Sequence, residues 1–205
     1  MTNKTTVHLT IMLPAGRLPL DVMKTAQALA EQYKLEIFFT TAQNLRLLNV
    51  PENLVEEIKA PLLALGVTFK APGGFPLPRI CVGAPHCPGG NGATDKLSAK
   101  ILDKFSKREK TKAKFKIAIS ACSTGCSNPR TTDIGIVMGP KGLTLYLGGK
   151  GGVSPQTGIR VLKDVSEETL LNAIETLVEF HDKKTEKKQR IAKLLDDPEF
   201  PFAQI

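Results

Sequence analysis

Leu35–Val50 reads LEIFFTTAQNLRLLNV. Two runs rich in aliphatic and aromatic residues stand back to back here. They predict two successive strands, Leu35–Thr41 with Ile37, Phe38 and Phe39 central, and Gln43–Leu48. Upstream, Leu20–Tyr33 places Val22, Met23, Ala26, Leu29, Ala30 and Tyr33 at helical spacing. Before that helix, Val7–Leu13 predicts a first strand, broken by Pro14-Ala15-Gly16. Downstream, Asn49-Val50-Pro51 predicts a helix start, with Asn49 or Val50 near the cap and Pro51 in the first turn. Leu54, Val55 and Ile58 follow on one face, and Pro61 limits or kinks that helix. Gly66–Phe69 closes the series as a short strand. The order β-α-β-β-α-β is the split βαβ, or ferredoxin-like, plan, in which helices cover one face of a sheet.

From Ala71 the composition changes. Residues 71–94 are crowded with proline and glycine and predict a long irregular segment, a feature that in compact domains is functional or disordered. A helix is predicted near Asp95–Lys107, then a strand over Lys114–Ser120 (KFKIAIS) that runs into ACSTGCSNP. Ile134–Met138 and Leu143–Leu147 bracket Gly139-Pro140-Lys141-Gly142 as a hairpin. Gly148–Gly152 is a second glycine cluster, and helices over Ser166–His181 and Glu186–Leu195 end the chain.

The 205 residues carry 28 Lys and Arg against 20 Asp and Glu, a formal charge of +8. Such a balance suits nucleic acid, an anionic small molecule or an acidic protein partner. Part of it is local: Lys183–Arg190 reads as the solvated face of a C-terminal helix. No apolar run reaches the roughly 20 residues of a membrane helix, and the N-terminus lacks a secretory pattern, so a cytoplasmic protein is expected.

Cys81, Cys87, Cys122 and Cys126 are spaced C-x5-C and C-x3-C, with 34 residues between the pairs. A lone buried cysteine is commonly inert core. Four in two close pairs, all in loops rich in glycine and proline, are not explained that way. An intracellular setting disfavours disulfides, which leaves a tetrathiolate metal site. Zinc takes tight C-x2-4-C knuckles, which suits the second pair and not the wider first. Iron–sulfur clusters accept longer, irregular ligand loops, and glycines let amides approach the cluster sulfurs. The spacing favours iron–sulfur and leaves zinc open.

The stretches CVGAPHC (81–87) and CSTGC (122–126) together resemble the signature of the sirohaem-containing nitrite and sulfite reductase family. Leu35–Val50 resembles the strand pair of that family's ferredoxin-like half-domain. Lys114-Phe115-Lys116, Asp133-Ile134-Gly135 and Leu147-Gly148-Gly149 resemble its further landmarks, so the similarity covers about residues 7–180. It implies an α/β (α+β) fold: a ferredoxin-like half-domain over 1–70, a 4Fe–4S and sirohaem-binding α/β domain over 71–181, and a C-terminal helix and tail over 182–205. It implies a 4Fe–4S cluster on all four cysteines, with Cys126 bridging to the sirohaem iron. Sirohaem carries many carboxylates and calls for cations, for which Arg79, Arg130, Arg160 and Lys150 are the candidates. Lys114 and Lys116, two apart on a predicted strand and hence on one face, match the family's substrate-binding lysines. His86 reads either as a proton donor or as a plain loop histidine.

The chain departs from the family pattern in three places. Ala42 stands where an arginine usually precedes the glutamine, and Arg46, on the same face of a regular strand, is the candidate replacement. Thr124 replaces the usual Asn of the C-x3-C loop. Pro88-Gly89-Gly90-Asn91-Gly92 delays the following helix. The expected function is six-electron reduction of sulfite to sulfide at a sirohaem coupled to the cluster, with an acidic carrier such as ferredoxin as donor. Reduction of nitrite or another substrate, or electron transfer alone, is the alternative. A zinc-stabilised nucleic-acid-binding protein is the remote one; it leaves the βαββαβ half unexplained, and the chain is poor in aromatic residues for base stacking. No nucleic-acid or membrane partner is expected. One half-domain copy covers a tetrapyrrole only in part, so a homodimer is expected, with the C-terminal segment 182–205, which carries Pro198–Phe202, as its arm.

Overall fold

The computed structural model describes residues 5–108, 115–185 and 189–205. The chain divides into two compact units, Met1–Pro72 and Gly73–Ile205. Among the described residues no helix is long and apolar enough to cross a membrane.

The first unit runs β1 (Thr6–Met12), α1 (Leu20–Tyr33), β2 (Glu36–Phe39), β3 (Leu45–Pro51), α2 (Val55–Ala64), β4 (Thr68–Phe69). The strands form an antiparallel sheet in the order β2-β3-β1-β4, which is the expected ferredoxin-like plan. Alternation along β1 and β3 delivers Leu9, Ile11, Leu45 and Leu47 to one core with Val22, Ala26 and Leu29 of α1 and Ile58 and Leu62 of α2. Several bounds differ from expectation. Thr40–Asn44 is a turn, in which the Gln43 amide donates to the Thr40 carbonyl at 2.9 Å and Gln43 has φ 62. Ala42 lies in this turn, so it does not share a strand face with Arg46. β3 continues past Leu48 because Asn49 takes a left-handed conformation (φ 60), where the register with β1 shifts. The expected helix start at Asn49–Pro51 is therefore displaced: Pro51 ends the strand, a 3-10 turn spans Glu52–Leu54, and α2 begins at Val55.

The second unit holds β5 (Arg79–Ile80), α3 (Thr94–Phe105), β6 (Ile117–Ser120), β7 (Ile134–Gly139), β8 (Gly142–Leu147), β9 (Ile159–Val165) and α4 (Glu167–Lys184). The sheet order is β5-β6-β7-β8-β9, with β5, β6 and β7 parallel and β8 and β9 antiparallel. The hairpin is as expected, closing at Gly139 opposite Gly142. Ile117, Ile119, Ile134, Ile136, Leu145 and Leu147 are all buried at the alternate positions of β6, β7 and β8. Arg79, Ala118, Gly135, Tyr146 and Arg160 lie in one register row across the five strands, on the other face.

α3 and α4 pack on the sheet and are joined by ion pairs Lys100–Glu167 and Lys104–Glu175 (2.8 Å), and Arg108, just after α3, pairs with Asp182 of α4 (2.9 Å). The Ser166 hydroxyl caps α4 by accepting the Thr169 amide at 3.2 Å.

Three expectations for this unit are corrected. β6 starts at Ile117, so Lys116 precedes the strand, and Lys114 lies outside the described residues. The expected helix Glu186–Leu195 lies in part outside the described residues; from Gln189 the chain forms a 3-10 turn at Ile191–Lys193 and then further turns, in which the Asp197 amide donates to the Leu194 carbonyl and the Phe200 amide to the Asp197 carbonyl. Arg190 is not on a solvated helix face there, since its Nε donates to Asp133 Oδ1 at 2.6 Å. The tail folds onto its own unit: Phe200 meets Phe180 of α4 edge-on at 5.6 Å, and the Ile205 amide donates to the Arg160 carbonyl at 2.9 Å. These contacts give the C-terminal phenylalanine Phe200 an apolar partner within the chain, without a second subunit.

Candidate metal centre

Parallel strands β5 and β6 end side by side, with Ile80 opposite Ile119, and each runs into a cysteine loop. Cys81 follows β5 directly; its amide donates to the Ile119 carbonyl and its sulfur accepts the Ala121 amide, both at 3.1 Å. Ala121 in turn precedes Cys122. The segment after the C-x5-C loop is tied to the ends of β6 and β7, because the Asn91 amide donates to the Ala121 carbonyl (2.8 Å) and Asn91 Nδ2 to the Met138 carbonyl (3.1 Å). Within the loop, the Cys87 amide donates to the Gly83 carbonyl at 2.8 Å. Gly83 has φ +63, and a Cβ there would lie 2.8 Å from Thr94 Oγ1, so only glycine fits. The Thr94 hydroxyl donates to the Cys81 carbonyl at 2.6 Å, which fixes the loop to the start of α3.

All four cysteines are free thiols, Cys126 exposed and the others partly so. The Thr124 hydroxyl, then the Thr124 amide, with a smaller part from the Gly125 amide, pull the Cys122 thiol below its ordinary pKa, against desolvation. This donor set fits an iron–sulfur cluster: soft sulfurs from two loops, with backbone amides aimed at two of them. Zinc gathers its thiolates about 2.3 Å from one point. Among the described residues no three His, Cys, Asp or Glu groups converge on such a point. A cluster of four irons takes one thiolate on each iron and accepts a wider spread.

Beyond Cys126 the chain arches across the sheet face. The Ser127 amide donates to Ser120 Oγ (3.2 Å) and the two serine hydroxyls are 2.7 Å apart. Arg79 Nε donates to the Ser127 carbonyl (3.0 Å) and Arg79 Nη2 to Thr132 Oγ1 (3.3 Å). Burial pushes the Arg79 guanidinium below its usual pKa. The arch lies tight on Gly135, where a Cβ would stand 1.9 Å from the Pro129 carbonyl oxygen.

Arg130, on the arch, sits 5.4 Å from the Tyr146 ring centroid, and Tyr146 pairs with Arg160 across β8 and β9. Arg160 Nε is buried and makes no hydrogen bond among the described residues. The Gly158 amide donates to the Arg130 carbonyl at 2.7 Å, and Lys150 pairs through its backbone with Gln156 at 2.9 and 2.8 Å, closing an exposed glycine-rich tip. The structure thus brings Arg79, Arg130 and Arg160 to one sheet face, with the stem of the Lys150 loop beside Arg130.

Other predicted site residues lie elsewhere. Lys116 stands at the opposite end of β6 from Cys122, with the four-residue strand between them at about 3.3 Å per residue. Its amide donates to Asp133 Oδ2 at 2.9 Å. Arg46 belongs to the first unit, where its Nε donates to Thr10 Oγ1 at 3.0 Å. His86 is exposed in the first cysteine loop. Sequence reasoning missed Ser120, Ser127 and the Asp133–Arg190 pair. The serines flank the cysteine loop on both sides, a signal that was available; Arg190 carried none.

The chain is an α/β protein of two units, the second of which carries four free thiols in its loops. The family model for the nitrite and sulphite reductase 4Fe-4S domain matches residues 78–198, which hold all four cysteines, and that for the nitrite/sulfite reductase ferredoxin-like half domain matches residues 1–65. The chain belongs to the nitrite and sulfite reductase family.

An assimilatory-type sulfite reductase of Nitratidesulfovibrio vulgaris is 25% identical over 95% of this chain and 88% of its own length. The nitrite reductase (NADH) large subunit of Escherichia coli is 25% identical over 91% of this chain but 22% of its own length. A coenzyme F420-dependent sulfite reductase of Methanocaldococcus jannaschii is 34% identical over 60% of this chain and 20% of its own. Among solved structures, dissimilatory sulfite reductase I superposes over 90% of this chain and 65% of its own with TM-score 0.75 at 12% identity. The Mycobacterium tuberculosis NirA protein superposes over 91% of this chain and 37% of its own with TM-score 0.70 at 20% identity.

Proposed function

We propose that the chain reduces sulfite, with a 4Fe–4S cluster on Cys81, Cys87, Cys122 and Cys126 and a sirohaem beside Cys126. The observation that carries this reading is the Ala121 amide on the Cys81 sulfur, which couples the two cysteine loops at adjacent strand ends. When bound, the cluster stores electrons and the sirohaem iron is the Lewis-acidic centre for the oxyanion. The chain's own residues hold and neutralise. The thiolates are stabilised by amide donors, and the exposed Cys126 is the bridging candidate. Arg130 and Arg160 offer guanidinium donors to the macrocycle's carboxylates, including an Arg160 Nε with no partner among the described residues. Lys150 adds charge from the glycine loop. Sulfite is favoured because the relative of matching length carries that name.

A second reading, electron transfer or another substrate, is favoured by the Ala42 turn. That turn presents no guanidinium of its own, and Arg46 is engaged with Thr10. Lys116 is not included in the substrate pocket, since it stands at the far end of β6. The net charge of +8 supports an acidic electron carrier as partner. Anaerobic reconstitution followed by reduced-viologen assays tests the proposal. Turnover of sulfite above nitrite is expected; a loaded protein that reduces neither supports the second reading.

A further inference from the structure

We infer that Arg79 is a positioning residue: it locks the Ser127–Thr132 arch so that the Cys126 thiolate and Arg130 are held as one piece. Its guanidinium donates to both ends of the arch, to the Ser127 carbonyl at 3.0 Å and to Thr132 Oγ1 at 3.3 Å. Ser127 is the residue after Cys126, and both Ser127 and Thr132 are almost fully buried. Thr132 Oγ1 donates onward to the Asn128 carbonyl at 2.7 Å, closing the arch on itself. The floor is made of small residues, Ala118 and Gly135, in the same register row as Arg79. The Pro129 carbonyl occupies the place of a Gly135 side chain. With the floor flat and Ser127 bonded to Ser120 on one side, Arg79 supplies the lateral restraint on the other. Arg130 sits between the two points that Arg79 holds. A lysine keeps the charge but has no planar fork to span two acceptors.

The inference rests on the proposed centre for its functional meaning, so its test begins without the cluster. Site-resolved alkylation of the four thiols is measured in apo wild type, Arg79→Lys, Arg79→Met and Thr132→Val. Cys81, fixed by the Ala121 amide, serves as the internal measure of intact folding. The expected result is that the Cys126 rate, relative to Cys81, changes about fivefold in Arg79→Lys and Arg79→Met alike, the factor corresponding to one lost hydrogen bond. Thr132→Val, which keeps the arginine, is expected to show a smaller change in the same direction and to guard against an Arg79 variant that fails to fold.

In reconstituted holoprotein the same order is expected for iron release to a chelator. A Cys126 rate unchanged in all three variants overturns the inference. So does Arg79→Lys behaving as wild type while Arg79→Met does not, because charge alone would then suffice. Failure of wild type to assemble a cluster contradicts the proposed centre and leaves the apo alkylation to decide the role of Arg79.

Discussion

The amide of Ala121 donates to the sulfur of Cys81 across 3.1 Å, so a residue of one cysteine loop holds the thiol of the other. The two loops are far apart in sequence and adjacent in space only because β5 and β6 are parallel neighbours. The pairing sets Cys81 beside the loop that carries Cys122 and Cys126.

Replacing a soft thiolate by a hydroxyl removes the ligand that iron prefers. Cys122→Ser, prepared anaerobically, is expected to lose most cluster iron and sulfide, read by metal and sulfide analysis. Cys126→Ser is expected to alter the haem bands of the visible spectrum as well. Unchanged haem and cluster signals in Cys126→Ser contradict the bridging assignment.

Gly135 lies beneath the arch, and a Cβ there overlaps the Pro129 carbonyl at 1.9 Å. Gly135→Ala is expected to destabilise the protein by about 1–3 kcal/mol or more, lowering the midpoint of thermal unfolding by several degrees. Gly151→Ala, whose added Cβ meets nothing within 4 Å, is expected to leave the midpoint nearly unchanged. Equal midpoints for the two variants contradict the tight arch.

Asp133 is fully buried, with one carboxylate oxygen on Arg190 and the other on the Lys116 amide. Arg190→Met leaves that carboxylate without its countercharge, a change expected to cost about 3–5 kcal/mol. Desolvation already raises the Asp133 pKa and Arg190 lowers it, so the variant's value rises further. A carboxyl with a raised folded-state pKa is stabilising below its unfolded value of about 3.9 and loses that contribution as pH rises through the folded value. The deficit of Arg190→Met, measured by urea unfolding, is therefore expected to be largest near neutral pH and to shrink as pH falls. Asp133→Asn added to Arg190→Met is expected to recover part of the loss at neutral pH. A deficit independent of pH contradicts the buried-charge explanation.

Ala42 is exposed in the β2–β3 turn, where a longer side chain meets solvent. Ala42→Arg is expected to leave stability within about 0.5 kcal/mol and to raise sulfite turnover if the missing cation limits it. No rise in a fully loaded protein favours the second reading of the function.

Much of this was legible in the residues themselves. Period-two runs at Leu9 and Ile11 and at Leu45 and Leu47, with helical spacing of Val22, Ala26 and Leu29, are dictated by burial alone. The hairpin at Gly139–Gly142 was marked by its glycines. What was not legible depends on tertiary pairing. β5 is two residues long inside a proline- and glycine-rich stretch, and exists because β6 lies beside it. β9 (IRVLKDV) carries charges that mask a strand, since it stands at the sheet edge and is bonded on one side by β8. The turn at Ala42 hid because Gln43 accepts a positive φ without a glycine to signal it. Of the candidate cations, Arg79 and Arg160 share a face through strand register, and Arg130 reaches Tyr146 of the same row from the arch, which no local pattern encodes. Lys116 was misplaced because the apolar run of β6 reads longer than the four residues that pair.

Iron, acid-labile sulfide and zinc analysis of the anaerobically purified or reconstituted protein, with its visible spectrum, tests the central claim most directly. The account predicts about five irons per chain, four in the cluster and one in the sirohaem, with about four sulfides, negligible zinc and intense sirohaem bands. A colourless protein with one zinc per chain would contradict it.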